Sequence, residues 1–292
     1  MYPKQIRPSK NLLSINYVDR SRSSYRQILM KQTSSTFNFE SIEINEKYCG
    51  PPKSGNGGYI AGIAAKPIQK DAAVIKIKAP GPLNETLYYS LNSSTNGIKL
   101  LSKDADVVIA EAQEDPEFFM NVPELNSSIL EDIQNPEEEY LGFQRHPFPT
   151  CFVCGPQRKQ EDGMRIFPAK IPDQAGFTHL HGAFWNPWKD LGDADGKIRN
   201  EIVWAALDCP GGFAVSYVDP TMIVLVKLRG RILESLFTEV PYAILSWEIG
   251  RNRRQRTPGT AIYRISDRKC VAYSEALWMV PGNWNPENQK EL

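Results

Sequence analysis

The sequence predicts an α+β fold made of two tandem units, and three observations carry that prediction. Strand-like segments surround two short helical stretches, 56–65 and 200–215, one in each half of the 292-residue chain. The order strand, helix, then several strands occurs in the first half and returns in the second. Short signatures recur with that order. Cys49-Gly50-Pro51 ahead of the first helix returns as Cys154-Gly155-Pro156 ahead of the second, and Ala110-Glu111-Ala112 returns as Ser274-Glu275-Ala276 near the end of the second unit.

Composition narrows the class. Lys+Arg and Asp+Glu both number 34, so the balance argues against a polyanionic partner, and no nucleic-acid motif is present. A hydrophobic share of 41% is that of a folded globular chain. The most apolar windows are cut by charge or proline too early for a membrane span. Met1-Tyr2-Pro3-Lys4 lacks the apolar core of a secretory signal. Five cysteines are an odd and sparse set that fits a reducing compartment better than a disulfide framework. A soluble, cytoplasmic protein is the expectation.

In chain order, residues 1–35 form a basic, loosely ordered extension, with Lys4, Arg7, Lys10, Arg20, Arg22, Arg26 and Lys31 against the single acid Asp19. The first unit covers 36–113. It opens with alternation over 37–44, turns through Cys49 to Gly55, and enters a helix at Asn56-Gly57-Gly58-Tyr59 that ends at Ala65. Two glycines at a helix start leave bare backbone, where unpaired N–H groups and the dipole favour negative charge; they also permit close packing. Strands follow at 73–78, 86–91 and 107–112, with hairpin turn residues over 92–97. Residues 114–145 are acidic and cut by prolines, an exposed connector with one short helix around Ile129. The second unit covers 146–282, with strands at 177–185, 222–228, 243–249, 261–265 and 271–279. Its helix, 200–215, should break beside Asp208, because Pro210 removes an N–H and clashes with the preceding turn. Residues 283–292 are a tail.

These elements resemble the hot dog thioesterase superfamily in its tandem, double hot dog form, where a strongly curved antiparallel sheet wraps one central helix in each unit. The helix of that family often reads His-Gly-Gly, two residues, then a small-apolar run closing on Asp. Asn56-Gly57-Gly58 matches the glycines with Asn in place of His, and the acidic position falls on Ala65. In the second helix the same spacing places the acid on Asp208, while the opening there reads Arg199-Asn200-Glu201. Each helix keeps what the other has lost. In the family the site lies where one helix start approaches the acid of the other unit, so the resemblance implies one composite site from Gly57, Gly58 and Asp208.

The implied activity is hydrolysis of acyl-CoA or a related acyl thioester. Asp208 would activate water, since desolvation raises a buried carboxyl towards working pH. Backbone N–H groups of Gly57 and Gly58 would face the developing oxyanion, and Asn56 would orient water or add an amide donor. A carboxylate capping the restart of the helix is the structural alternative for Asp208. Glu201 is read as structural, a favourable charge in a first helical turn. Lys53 and Arg158, with Lys159 and Arg165, are candidates for the CoA phosphates. Tyr59, Trp204 and Phe213 would line an acyl tunnel or, as ordinary aromatic residues, fill the core.

Cys151-Phe152-Val153-Cys154 invites a metal reading, with His146, Cys49 or Cys209 completing four ligands, and His179 and His181 as an alternating pair. A second Cys-x-x-Cys is missing, so no metal and no cofactor are expected. Two other functions stay open: an acyl-thioester hydratase or dehydratase, and a non-catalytic acyl-binding or scaffold protein of the same fold. Exposed sheet edges in such folds are often paired, which makes a homodimer the assembly to look for.

Overall fold

A computed structural model describes residues 41–92, 94–102, 107–133, 140–216 and 222–282. The basic extension at 1–35, the beginning of the 37–44 strand, part of the acidic segment and the 283–292 tail lie outside the described residues. In the first half, β1 (Ile42–Glu43) precedes helix α1 (Gly57–Ala65), followed by β2 (Ala72–Ile77), β3 (Thr86–Asn92), β4 (Gly97–Ser102) and β5 (Val108–Glu114). Helix α2 (Ser127–Asp132) lies in the acidic segment. The second half contains β6 (Ala169–Lys170), β7 (Thr178–Trp185), helices α3 (Asn200–Ala206) and α4 (Cys209–Ser216), then β8 (Val224–Ile232), β9 (Tyr242–Asn252), β10 (Gln255–Arg264) and β11 (Lys269–Met279).

All eleven strands join one antiparallel sheet in the order β1-β3-β4-β5-β2-β8-β11-β10-β9-β7-β6. Its middle is the pairing of β2 with β8, where Ala73 faces Gly230 and Ile75 faces Leu228. Outward from this seam the order is β2, β5, β4, β3, β1 on one side and β8, β11, β10, β9, β7, β6 on the other. The recurring triplets occupy corresponding strands: Ala110-Glu111-Ala112 lies in β5 and Ser274-Glu275-Ala276 in β11.

Several elements depart from expectation. Strand β4 is additional; Gly-Ile-Lys-Leu-Leu-Ser has weak alternation, and its pairing follows from the turn that sets Asn92 opposite Gly97. Strand β10 starts earlier than 261, at polar Gln255-Arg256, because a tight hairpin pairs Asn252 with Gln255. Pro258 is accommodated where the register slips between Thr257 and Pro258, a place in a ladder where a missing N–H costs little. The acidic segment is not an exposed connector. Phe118, Leu125, Ile129 and Ile133 are buried in one cluster with Leu180, Leu245, Trp247 and Tyr263, so its apolar residues cover the sheet while Glu117, Glu124, Glu131 and Asp132 are exposed. His179 and His181 do not alternate simply, because the strand slips between Thr178 and His181 and His179 sits at φ 52°.

Helices α1 and α3 cross antiparallel at backbone distance. A Cβ on Gly62 would lie 2.3 Å from Glu201 Cα, and one on Gly58 would lie 2.6 Å from the Trp204 carbonyl and 2.8 Å from Ala205 Cα. Gly58 and Gly62, one turn apart, therefore form the contact stripe of α1. Trp204 of α3 in turn fills the space over Gly230 of β8, where a Cβ would meet its ring at 2.9 Å. All five cysteines are free thiols. Among the described residues, no helix is long and apolar enough to cross a membrane.

Two predictions follow from this packing. Gly→Ala in a helix interior ordinarily adds about 1 kcal/mol; at Gly62 the backbone collision reverses the sign, and Gly62→Ala should lose at least about 2 kcal/mol by denaturant unfolding. Gly250→Ala, where a Cβ meets nothing within 4 Å, should leave stability nearly unchanged. His181, 1% exposed, donates from Nδ1 to the His179 carbonyl at 2.7 Å. Burial pushes it down to about 4, partly offset by that bond. On acidification the unfolded chain takes up the proton first, near its usual pKa of about 6.5. Stability should therefore fall by about 3 kcal/mol between that pH and about 4. His181→Gln should flatten this part of a stability–pH profile.

Candidate functional site

The start of α1 and the break between α3 and α4 meet in one buried polar pocket. Asn56 caps α1: its Oδ1 accepts from the Tyr59 amide at 3.0 Å, which satisfies one of the helix's free donors. That bond also fixes the amide's orientation, leaving Nδ2 to point at sulfur, 3.4 Å from Cys209 Sγ and 3.8 Å from Cys151 Sγ. Asp208 comes from the break, as Pro210 predicts. Two fully buried serines bond carbonyls at this junction: Ser274 Oγ donates to Leu207 O at 2.9 Å and Ser246 Oγ to Pro210 O at 2.8 Å.

Across the helix crossing, Gly58 N–H donates to Asp208 Oδ2 at 2.8 Å, joining residues 150 apart in sequence. The carboxylate thus serves the other helix rather than the restart of its own. Asp208 is 1% exposed, and its Oδ1 is buried without a hydrogen-bond partner. Burial raises the carboxyl to about 8, against the lowering effect of the Gly58 bond; the nearby Cys151 raises it further, and an Asn56 hydrogen bond lowers it.

Beside these groups lie three buried thiols. Cys151, Cys154 and Cys209 have all their sulfurs within 4.8 Å of one another, and Cys151 Sγ is 3.8 Å from Cys209 Sγ. Hydrogen bonds from Cys154 and Cys209 hold the Cys151 thiol well below its usual range. Burial pushes Cys154 up, and sharing a proton with Cys151 pushes Cys209 up. Tyr140, unremarked in the sequence, ties its hydroxyl to Cys154 O at 2.6 Å.

The remaining sequence candidates are placed differently. Gly57 is half-buried beside the acid: a Cβ there would lie 3.4 Å from Asp208 Oδ2. Tyr59 stacks on Tyr48 at 4.2 Å and meets Phe152 edge-on, so it is core, as is Trp204 over Gly230. Lys53 is exposed in the turn before α1. Arg158 is not a free cation for phosphate. It donates to Thr150 O at 2.7 Å, Lys47 O at 3.0 Å, both Asp162 oxygens and Cys49 Sγ, and so closes its own loop. Arg165 stacks on Phe167. Glu201 pairs with Arg199 at 3.3 Å, the structural role expected of it.

No protein-family model matches the sequence, and no curated protein matches it. Solved structures do. An acyl-CoA thioesterase II from Mycobacterium marinum aligns with a TM-score of 0.53 at 8% identity, covering 80% of this chain and 92% of that one. A hot dog protein of unknown function from Alicyclobacillus acidocaldarius aligns with a TM-score of 0.53 at 12% identity, covering 85% and 95%. A tesB protein from Mycobacterium avium subspecies paratuberculosis gives 0.50 at 10% identity, covering 78% and 87%. At these identities the likeness is one of fold, and the chain has the hot dog fold.

The pocket makes Asn56 a test of its electrostatics. Asn56→Ser keeps a capping oxygen and should cost about 1 kcal/mol or less. Asn56→Asp keeps the cap as well but sets a second carboxylate against Asp208 and the Cys151 sulfur. It should cost at least about 2 kcal/mol more in denaturant unfolding at neutral pH.

Proposed function

We propose that this protein is a hydrolase of acyl-CoA or a related acyl thioester, folded as a double hot dog with one composite site. The tandem units are 36–113 and 146–282, joined by the acidic segment 114–145. The observation that carries the reading is the 2.8 Å bond from Gly58 N–H to Asp208 Oδ2, which joins the glycine start of one helix to the acid of the other. The acyl-CoA thioesterase II among the structural neighbours supports the substrate class.

In this mechanism Gly58 holds the carboxylate by Oδ2 and leaves Oδ1 for a water molecule. Asp208 takes a proton from that water as its oxygen attacks the thioester carbonyl, and a low-dielectric setting makes the carboxylate a stronger base. Because Gly58 N–H is engaged, the N–H of half-buried Gly57 is the helix-start donor left for the carbonyl oxygen. Collapse of the tetrahedral species breaks the C–S bond, and the proton held by Asp208 passes to the leaving thiolate. Tyr59 and Trp204 support the two helices rather than touch substrate. Lys53 is the exposed cation nearest in sequence to the α1 start. A cytoplasmic setting, and a dimer paired through an outer sheet edge, belong to the same reading.

A second reading rests on a specific observation. Asp208 and Asn56 are 1% and 2% exposed, and the Gly58 donor is already used, which also suits a non-catalytic acyl-binding or scaffold protein whose helix clasp is purely structural. A free-thiol release assay over acyl-CoAs of increasing chain length separates the two. The hydrolase reading expects turnover by the natural protein and a loss of about 100-fold or more in Asp208→Asn, with the fold intact by circular dichroism. Full turnover in Asp208→Asn would remove Asp208 from the chemistry. Thermal stabilisation by acyl-CoA without any thiol release would favour the binding protein.

A further inference from the structure

The three thiols beside Asp208 are not used by the hydrolase reading, and their arrangement has a chemistry of its own. Cys151 and Cys154 come from one loop and Cys209 from the first residue of α4, with Cys151 and Cys209 58 residues apart in sequence. The three are 3%, 3% and 7% exposed. A tetrahedral cation with metal–sulfur bonds of about 2.3 Å separates its sulfurs by about 3.8 Å. Cys151 Sγ and Cys209 Sγ stand at 3.8 Å, and the third sulfur is within 4.8 Å of both.

The Cys-x-x-Cys turn presents two of the sulfurs from one loop. That turn is closed by Gly155 N–H on Cys151 O at 2.9 Å, and a Cβ at Gly155 would collide with the Cys151 backbone at 2.5 Å. Asn56 Nδ2, its direction set by the helix cap, donates to Cys209 and Cys151. The next residue before Cys209 is Asp208, whose buried Oδ1 has no hydrogen-bond partner. Among the described residues, every hydrogen bond to these three sulfurs and to Asp208 comes from an amide or a thiol, none from Lys or Arg.

We propose that Cys151, Cys154 and Cys209 bind a divalent cation of the zinc class as thiolates. The cation would tie the 151–154 loop to the α3–α4 break, directly behind the α1 cap. Binding replaces the thiol protons: each S–H lost releases one proton to solvent, with no change in oxidation state and no oxidant required. The proposal stands on the sulfurs and does not depend on thioester hydrolysis.

The test uses the full-length protein purified without chelator. Metal analysis should find about one zinc per chain. Cobalt(II) added to metal-free protein should give the intense visible and thiolate charge-transfer bands of tetrahedral sulfur coordination. Cys154→Ser and Cys209→Ser should each lower cobalt affinity at least about 10-fold and weaken the charge-transfer band. Should either variant fail to fold, the cobalt spectrum of the natural protein, with proton release on binding, carries the test alone. Metal-free protein that gives no thiolate band with cobalt overturns the proposal. So does a Cys151–Cys209 or Cys151–Cys154 disulfide in the freshly purified protein, or undiminished binding in the Cys154→Ser/Cys209→Ser double variant. Asp208→Asn separates the two readings: lost thiol release with the cobalt–thiolate band retained removes only the base and leaves the metal site standing.

Discussion

Two helices can approach backbone to backbone only where one of them carries no side chains, and the contact of α1 with α3 is of that kind. Gly58 and Gly62 remove the two Cβ atoms that would strike Trp204, Ala205 and Glu201. The resulting distance brings an amide of one helix within hydrogen-bond reach of a carboxylate on the other. Two larger residues on that stripe would separate the helices by ångströms and leave both Gly58 N–H and Asp208 buried and unpaired. The pocket, the seating of Trp204 on Gly230 and the position of the Asn56 cap all follow from this one crossing.

The crossing imposes electrostatic costs that the surrounding residues offset only in part. A fully buried carboxyl loses several kcal/mol of solvation as an ion. It recovers a charge-assisted bond from Gly58 and a hydrogen bond from Asn56, and keeps one oxygen without any partner. At the junction of the two helices Ser274 and Ser246, buried strand residues, donate from the sheet to Leu207 O and Pro210 O. Apolar residues at those strand positions would suit the burial pattern, but only a hydroxyl ties the sheet to the junction that presents Asp208 to α1.

Much of this was legible in the sequence because it is local. The helix beginning at Gly57 with Asn56 before it, the interruption at Asp208, the short helix at Ile129 and most strands come from caps, proline and alternation, which act over a few residues. The pairing of Gly58 with Asp208 was legible for another reason: each helix lacked the half of a motif that the other retained. What stayed hidden is what depends on distant partners. The acidic segment reads as exposed by composition, yet a few apolar residues among its acids cover the sheet. Arg158 reads as a free cation, yet its guanidinium is spent on its own loop. Cys209 is one of three candidates to join Cys151-x-x-Cys154, and only the fold selects it over Cys49 and His146 as the third member of the cluster.

The crossing of α1 and α3 has two unlike ends. At one, Gly58 meets Asp208, with Asn56 and the three sulfurs beside them. At the other, Gly62 faces Glu201, whose carboxylate pairs with Arg199 at 3.3 Å. Glu201 therefore has a charged partner, whereas Asp208 is held by amides alone, from Gly58 and Asn56. An ion pair on a half-buried surface neutralises the first acid; burial behind two helices leaves the second perturbed, and the polar chemistry is concentrated at its end.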